Sequence, residues 1–298
     1  MSSLRYHLLL LVSTIIIAGS FISAQILSAG VDSTSLALMR FCLAALILSP
    51  FILFRKERRR AFIRVLPKGL IISFFYSAFF LLMFKSLKTP TTLNTGTLYT
   101  LVPFLTAVAG ILIFRDKIRP GTLLVYVIST VGTLWVISRG DIDVLLHLNI
   151  NHGDLLFLLG CLSMVCFSLA MKLLYKGEEM LVFVFSTLLS GALWMGAALL
   201  LSGQMPDYSN MTLNMSFHMV YLTVFATLLT SWILQITTVK LSPREVSAYI
   251  YLNPVFVALI SMIFTSQALP VSVYPGIALS VLSTVLLQSP ASSENRRS

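Results

Sequence analysis

Tyr76, Tyr99, Tyr249 and Tyr251, with the amides Gln25, Asn94, Gln235 and Asn253, stand inside stretches that are otherwise apolar. Phenol hydroxyls and carboxamides donate and accept hydrogen bonds without carrying charge at neutral pH. Their chemistry is recognition of a neutral or zwitterionic, partly apolar molecule. Spacing groups them further on helical faces: Thr95, Tyr99 and Pro103 recur at i, i+4 and i+8, and Tyr249 and Asn253 form an i, i+4 pair with Tyr251 on another face. Gln235 follows Ser231 by one turn, and Ser73, Tyr76, Ser77 and Phe80 make a polar and aromatic face.

Bond-breaking chemistry lacks its residues. The apolar stretches carry no lone Asp or Glu, and His7, His147, His152 and His218 all fall near their ends. The chain has no HExxH, no GxSxG and no GxxxxGK[ST]. Cys42, Cys161 and Cys166 lie within apolar runs and show no metal-ligand spacing. No catalytic residue, metal or cofactor is expected, and the chain does not read as an enzyme.

The elements that carry these residues follow from composition. The chain is 57% hydrophobic and 11% charged, against about 25% charged in ordinary globular domains. A bilayer core of about 30 Å takes roughly 20 apolar residues per helix. Runs of that length occur at 7–29, 34–54, 67–87, 92–114, 120–138, 154–175, 180–201, 217–239, 246–265 and 272–289. The fold class is therefore an all-α polytopic membrane protein with ten transmembrane helices. The first run continues past Ser23-Ala24-Gln25, so it reads as a span rather than a cleaved signal.

Lys and Arg orient the spans. With the N-terminus in the cytoplasm, of 21 such residues only Lys85, Lys88 and Arg139 fall outside, and Arg40 lies within the second span. Arg55, Lys56, Arg58, Arg59, Arg60, Arg64 and Lys68 share one inner segment. This bias puts both termini in the cytoplasm. It also moves the net charge of +10 into topology determinants and away from nucleic-acid binding.

Residues 96–114 and 247–265 align without a gap. Each has a Leu-x-Pro (Leu101/Pro103, Leu252/Pro254) followed by Ala107 or Ala258, and Ser129 and Thr133 fall on Ser280 and Thr284. Five spans in 1–150 and five in 151–298 force the second copy to enter from the opposite side. The expectation is two inverted five-helix repeats, with Pro103 and Pro254 kinking equivalent helices near a site at the repeat interface.

Gly19-Ser20-Phe21, Met39-Arg40-Phe41, Leu101-x-Pro103, the turn Phe114-Arg115-Asp116-Lys117-Ile118, Gly132 and Leu252-x-Pro254 occur in an order that resembles the drug/metabolite transporter superfamily, in particular its EamA-type members. The chain departs from that pattern at Ala18, where Trp is common, and at Asp116 and Gln267, where the acidic turn is altered. The resemblance covers the whole chain. It implies a bacterial inner-membrane carrier of small organic metabolites (amino acids, amines or related solutes), working by alternating access in the export direction. The partners are then the solute and the lipid bilayer.

The candidate cavity residues are Gln25, Tyr76, Asn94, Tyr99, Gln235, Tyr249, Tyr251 and Asn253, with the first, third, fourth, sixth, eighth and ninth spans as walls. Arg40, Pro103 and Pro254 are assigned structural or gating roles. For Arg40 the expected partners are helix-end carbonyls, with an anion contact as the alternative. A membrane receptor or assembly subunit that does not transport, and a lipid-acting enzyme, are the other readings of such a chain.

Overall fold

The computed structural model describes residues 2–86, 98–115, 120–146, 152–265 and 269–288. They form α1 (Ser2–Ser28), α2 (Ser33–Leu53), α3 (Lys56–Ser86), α4 (Leu101–Phe114), α5 (Pro120–Ile137), α6 (Ile142–Leu146), α7 (His152–Leu174), α8 (Met180–Leu201), α9 (Leu213–Lys240), α10 (Pro243–Ser247), α11 (Asn253–Thr265) and α12 (Tyr274–Gln288). Short 3₁₀ turns at Ala248–Leu252 and Val271–Val273 precede α11 and α12. No strand occurs among the described residues. In hydrocarbon a segment must satisfy its own backbone N–H and C=O groups, which a helix does. Large apolar side chains such as Leu46, Leu112 and Leu200 point outward, as they do when lipid is the solvent.

Eight helices among the described residues are long and apolar enough to cross a membrane, and Leu101–Phe114 is a shorter apolar helix. Three elements differ from the runs read off the sequence. The expected 67–87 span is the later part of the 31-residue α3, which starts at Lys56 and carries Pro67 inside it. At about 1.5 Å per residue its basic first turns extend beyond a hydrocarbon core of about 30 Å. The expected 217–239 span is α9, which changes pitch to a π-helix over Val224–Leu229. The expected 246–265 span is not one helix: α10 passes through the 3₁₀ turn before α11 begins.

That break also revises the proline argument. Pro254 is the second residue of α11 and Pro103 the third of α4. In the first turn of a helix the missing N–H has no intrahelical acceptor to lose. Each proline thus falls where the helical pitch changes: Pro254 directly after the 3₁₀ turn Ala248–Leu252, and Pro103 shortly after the helical residues 98–99. Ser242 prepares the α10 start by accepting from Glu245 N at 3.2 Å, with Pro243 behind it. Asp32 does the same for α2, accepting from Thr34 N at 2.8 Å and Ser35 N at 3.2 Å.

Packing joins the first part of the chain to the second. α3 lies against α7 and α8, α2 against α8, α1 against α9 and α11, and α5 against α12. Phe41, Tyr76, Phe167, Phe183 and Phe185 fill the first of these interfaces. Gly69 faces Ser186, and Gly191 faces the Phe41 ring, so small residues let these helices approach closely. At the basic end, Arg58 pairs with Glu179 at 2.6 Å and Lys68 pairs with Glu178. Lys172 Nζ donates to Val239 O at 2.7 Å, tying α7 to the end of α9.

Candidate functional site

The 3₁₀ turn matters because it aims its side chains differently from a continuous helix. Tyr249, Ile250 and Asn253 meet Tyr99 and Val102 from the start of the fourth span at a cavity of about 50 Å³. α1 closes one wall with Leu10, Ser13, Thr14 and Ile17; α7 adds Met164, Phe167 and Ser168, and α9 adds Leu234 and Thr238. A water needs roughly 10–15 Å³ measured this way. The cavity thus has room for a few waters and not for a metabolite.

Three polar groups around it are unsatisfied. Asn253 Oδ1 and Ser13 Oγ have no hydrogen-bond partner among the described residues, although both residues are buried. Gln235 is 1% exposed, and neither its Oε1 nor its Nε2 is bonded. It stands between Leu234 and Thr238 on α9, beside the cavity wall rather than in it. A buried polar group without a partner costs about 1–3 kcal/mol, so water or a polar solute atom is stabilised beside these groups.

The aromatic groups take distinct places. The Tyr249 hydroxyl is hydrogen-bonded to His7 Nδ1 at 3.1 Å, and the two rings stack at 6.2 Å. Tyr99 leans on Phe79 and Phe157, with ring centroids 5.7 and 6.3 Å away. Tyr76 stacks on the cavity-lining Phe167 at 4.7 Å. Tyr251 lies elsewhere: fully buried, it meets Tyr126, and its hydroxyl lies 3.1 Å from Thr130 Oγ1. Its place is the packing between the 3₁₀ turn and α5.

Of the residues singled out in the sequence, the structure thus brings Tyr99, Tyr249 and Asn253 to one cavity and sets Tyr76 and Gln235 beside it. Tyr251 is directed away. Asn94 lies outside the described residues, as do Asp116 and Gln267, and the Gln25 side chain is likewise not described. Arg40 bonds no helix-end carbonyl among the described residues; its Nε donates to Thr227 Oγ1 on α9 at 3.0 Å. That partner was missed, as were the hydroxyls of Ser13, Thr14, Ser168 and Thr238. The Ser13-Thr14 pair inside the first apolar run was the available signal.

Among the described residues no group of three or more His, Cys, Asp or Glu side chains forms a metal site. Outside the spans, Glu178 is the shifted carboxylate of the basic end. Desolvation pushes it up, but the Lys68 ammonium and the N–H groups of Lys176 and Glu178 outweigh this and hold it below the usual carboxylate range.

Among the described residues, eight long apolar helices with a small, mostly apolar cavity between the two parts of the chain have the build of a multi-pass membrane transporter. The model of the EamA-like transporter family matches residues 4–138 and again 151–289, and the chain belongs to that family. The two matches are its two repeats. The chain is 24% identical over 234 residues to the "Uncharacterized transporter YyaM" of Bacillus subtilis (strain 168), covering 77% of this chain and 76% of that protein. A crystal structure titled only as that of a protein superposes with a TM-score of 0.79 at 13% identity, over 98% of this chain and 99% of that one. That likeness is one of fold. The family makes the bilayer and a small-molecule substrate its expected surroundings.

Proposed function

We propose that this chain is a secondary carrier of the bacterial inner membrane that exports small organic metabolites such as amino acids, amines or related solutes. It has ten spans in two inverted five-helix halves, 1–150 and 151–298, with both termini cytoplasmic. The observation that carries the reading is the cavity itself. Segments of both family matches wall it: α1 and the Tyr99–Val102 segment from the first, and α7, α9 and the Tyr249–Asn253 turn from the second. Sites at the interface of two repeats, formed where helices are broken, are the recurrent arrangement of such carriers.

At about 50 Å³ the cavity has room for nothing larger than a few waters. Admitting a metabolite requires the halves to part, which is the motion alternating access supplies. Asn253 Oδ1 and the Gln235 amide, which lack partners among the described residues, gain them when a polar solute or its water enters. The absence of an intramembrane carboxylate among the described residues favours facilitated movement or exchange over a proton relay built on one.

Proteoliposomes preloaded with a broad panel of labelled amino acids, amines and organic acids test the proposal. Efflux or exchange of at least one solute, absent from empty liposomes, is expected. No flux, with a bound protein partner or with lipid turnover, replaces the carrier by a receptor or an enzyme.

A further inference from the structure

Arg40 is the seventh residue after Ser33, the first residue of α2, and so lies about 10 Å along a helix that rises about 1.5 Å per residue. Its Nε donates to Thr227 Oγ1, and its guanidinium carbon lies 5.6 Å from the centre of the Phe80 ring. The ion pairs among the described residues are Arg58–Glu179 and Lys68–Glu178, so no carboxylate there neutralises Arg40. Its two terminal nitrogens make no hydrogen bond among the described residues. An arginine kept for packing within a bilayer saturates its donors on carbonyls or a carboxylate, because an uncompensated charge there is costly.

The surroundings are built to hold it. Thr227 lies within the π turn Val224–Leu229, and its hydroxyl donates to Leu222 O, five residues back, at 2.7 Å. With its proton committed to that carbonyl, the hydroxyl oxygen accepts from Arg40. A π turn inside an α-helix is commonly kept at a functional site. One turn along α9 comes Ser231, beside Tyr76, and one turn further comes the unbonded Gln235 amide. Tyr76 stacks on Phe167, which lines the cavity. Tyr76 and then Phe167 therefore stand between Arg40 and the cavity, with an unbonded amide on the adjoining helix face.

From this geometry we infer that Arg40 is the recognition point for a carboxylate on the carried solute, with Phe80 and Tyr76 against its apolar body. The inference rests on the carrier reading and narrows it: amino acids or other carboxylates are taken, and amines lacking one are not. A planar guanidinium pairs with a carboxylate in a two-pronged fork. A single guanidinium, with no second cation beside it among the described residues, suits a monoanion better than a phosphate dianion.

Thermal unfolding of the purified full chain in detergent tests it with three matched sets. These are alanine, propionate and ethylamine; leucine, 4-methylpentanoate and 3-methylbutylamine; phenylalanine, 3-phenylpropanoate and 2-phenylethylamine. In at least one set the amino acid or the acid raises Tm and the amine does not. Arg40→Gln weakens that binding at least about tenfold, the scale of one charge-assisted hydrogen bond. Arg40→Lys, which keeps the charge, retains part of the preference and decides the matter should the Gln variant not fold. Amines stabilising as well as acids, no shift in any set, or undiminished acid binding in Arg40→Gln overturns the inference. The flux panel separates the two readings: flux confined to solutes without a carboxylate sinks this inference and leaves the carrier standing, whereas acid binding without any flux does the reverse.

Discussion

Thr133 Oγ1 lies 3.2 Å from Ser280 Oγ, where α5 packs against α12. Aligning the two halves puts Ser129 on Ser280 and Thr133 on Thr284. The contact therefore joins one position of the repeat in the first half to the other position in the second. Nearby, a Cβ on Gly132 would lie 2.7 Å from Leu279 Cβ and 3.0 Å from Ser280 N. The backbone nitrogen cannot move aside. Gly132→Leu is expected to separate α5 from α12 and to cost about 1–3 kcal/mol, the usual range for overpacking. Gly121→Ala, with nothing within 4 Å, is the neutral control. Thermal unfolding in detergent reads both.

Tyr99 and Asn253 reach one cavity from segments that align between the halves. Tyr99→Ala and Asn253→Ala are expected to abolish flux while inserting normally. Trp194→Phe is expected to be tolerated: its indole donates to Leu70 O at 3.0 Å, but Ser73 Oγ also donates to that oxygen, at 3.3 Å. Initial flux rates normalised to inserted protein make the comparison. Unchanged flux in both alanine variants moves the site elsewhere.

Gln235 gives the sharpest separation of stability from function. Replacing a buried, unbonded amide by an apolar side chain of similar size removes a desolvation penalty. Gln235→Leu is thus expected to raise stability by about 1–3 kcal/mol and to lower flux. A fall in both Tm and flux would mean that the amide is bonded in the working protein and serves packing.

The Lys68–Glu178 pair predicts a pH effect. The folded carboxyl lies below its ordinary value of 4.5, so its contribution is present above that value and is lost as pH falls through the folded one. Both side chains are partly exposed, which limits the effect to under about 1 kcal/mol. Glu178→Gln should flatten the dependence of Tm on pH below 4.5 and leave it unaltered near neutrality.

Much of the fold was legible because length and hydropathy decide a membrane helix: α2, α7 and α8 lie within a few residues of their apolar runs. The site was legible in part: Tyr249 and Asn253, four residues apart, do reach one cavity, although a 3₁₀ turn rather than one helix face carries the first. Tyr251, two residues from each, shows the limit: its polarity marked it for the cavity, but the 3₁₀ turn directs it to Thr130. The Arg40–Thr227 bond joins residues 187 apart. It depends on a local change of helical pitch, for which hydropathy has no signal. Meetings across helices are set by packing, and packing is not written in the spacing along one chain.

The central claim is that the cavity between the halves opens to each side of the membrane in turn. The direct measurement places a single cysteine at Ser13, which lines that cavity at 1% exposure, with Cys42, Cys161 and Cys166 replaced. A membrane-impermeant thiol reagent is then applied separately from the outside of right-side-out vesicles and of inverted ones. The carrier account predicts modification from both sides, each slowed by a transported solute. Reaction from one side only, or from neither, would contradict it.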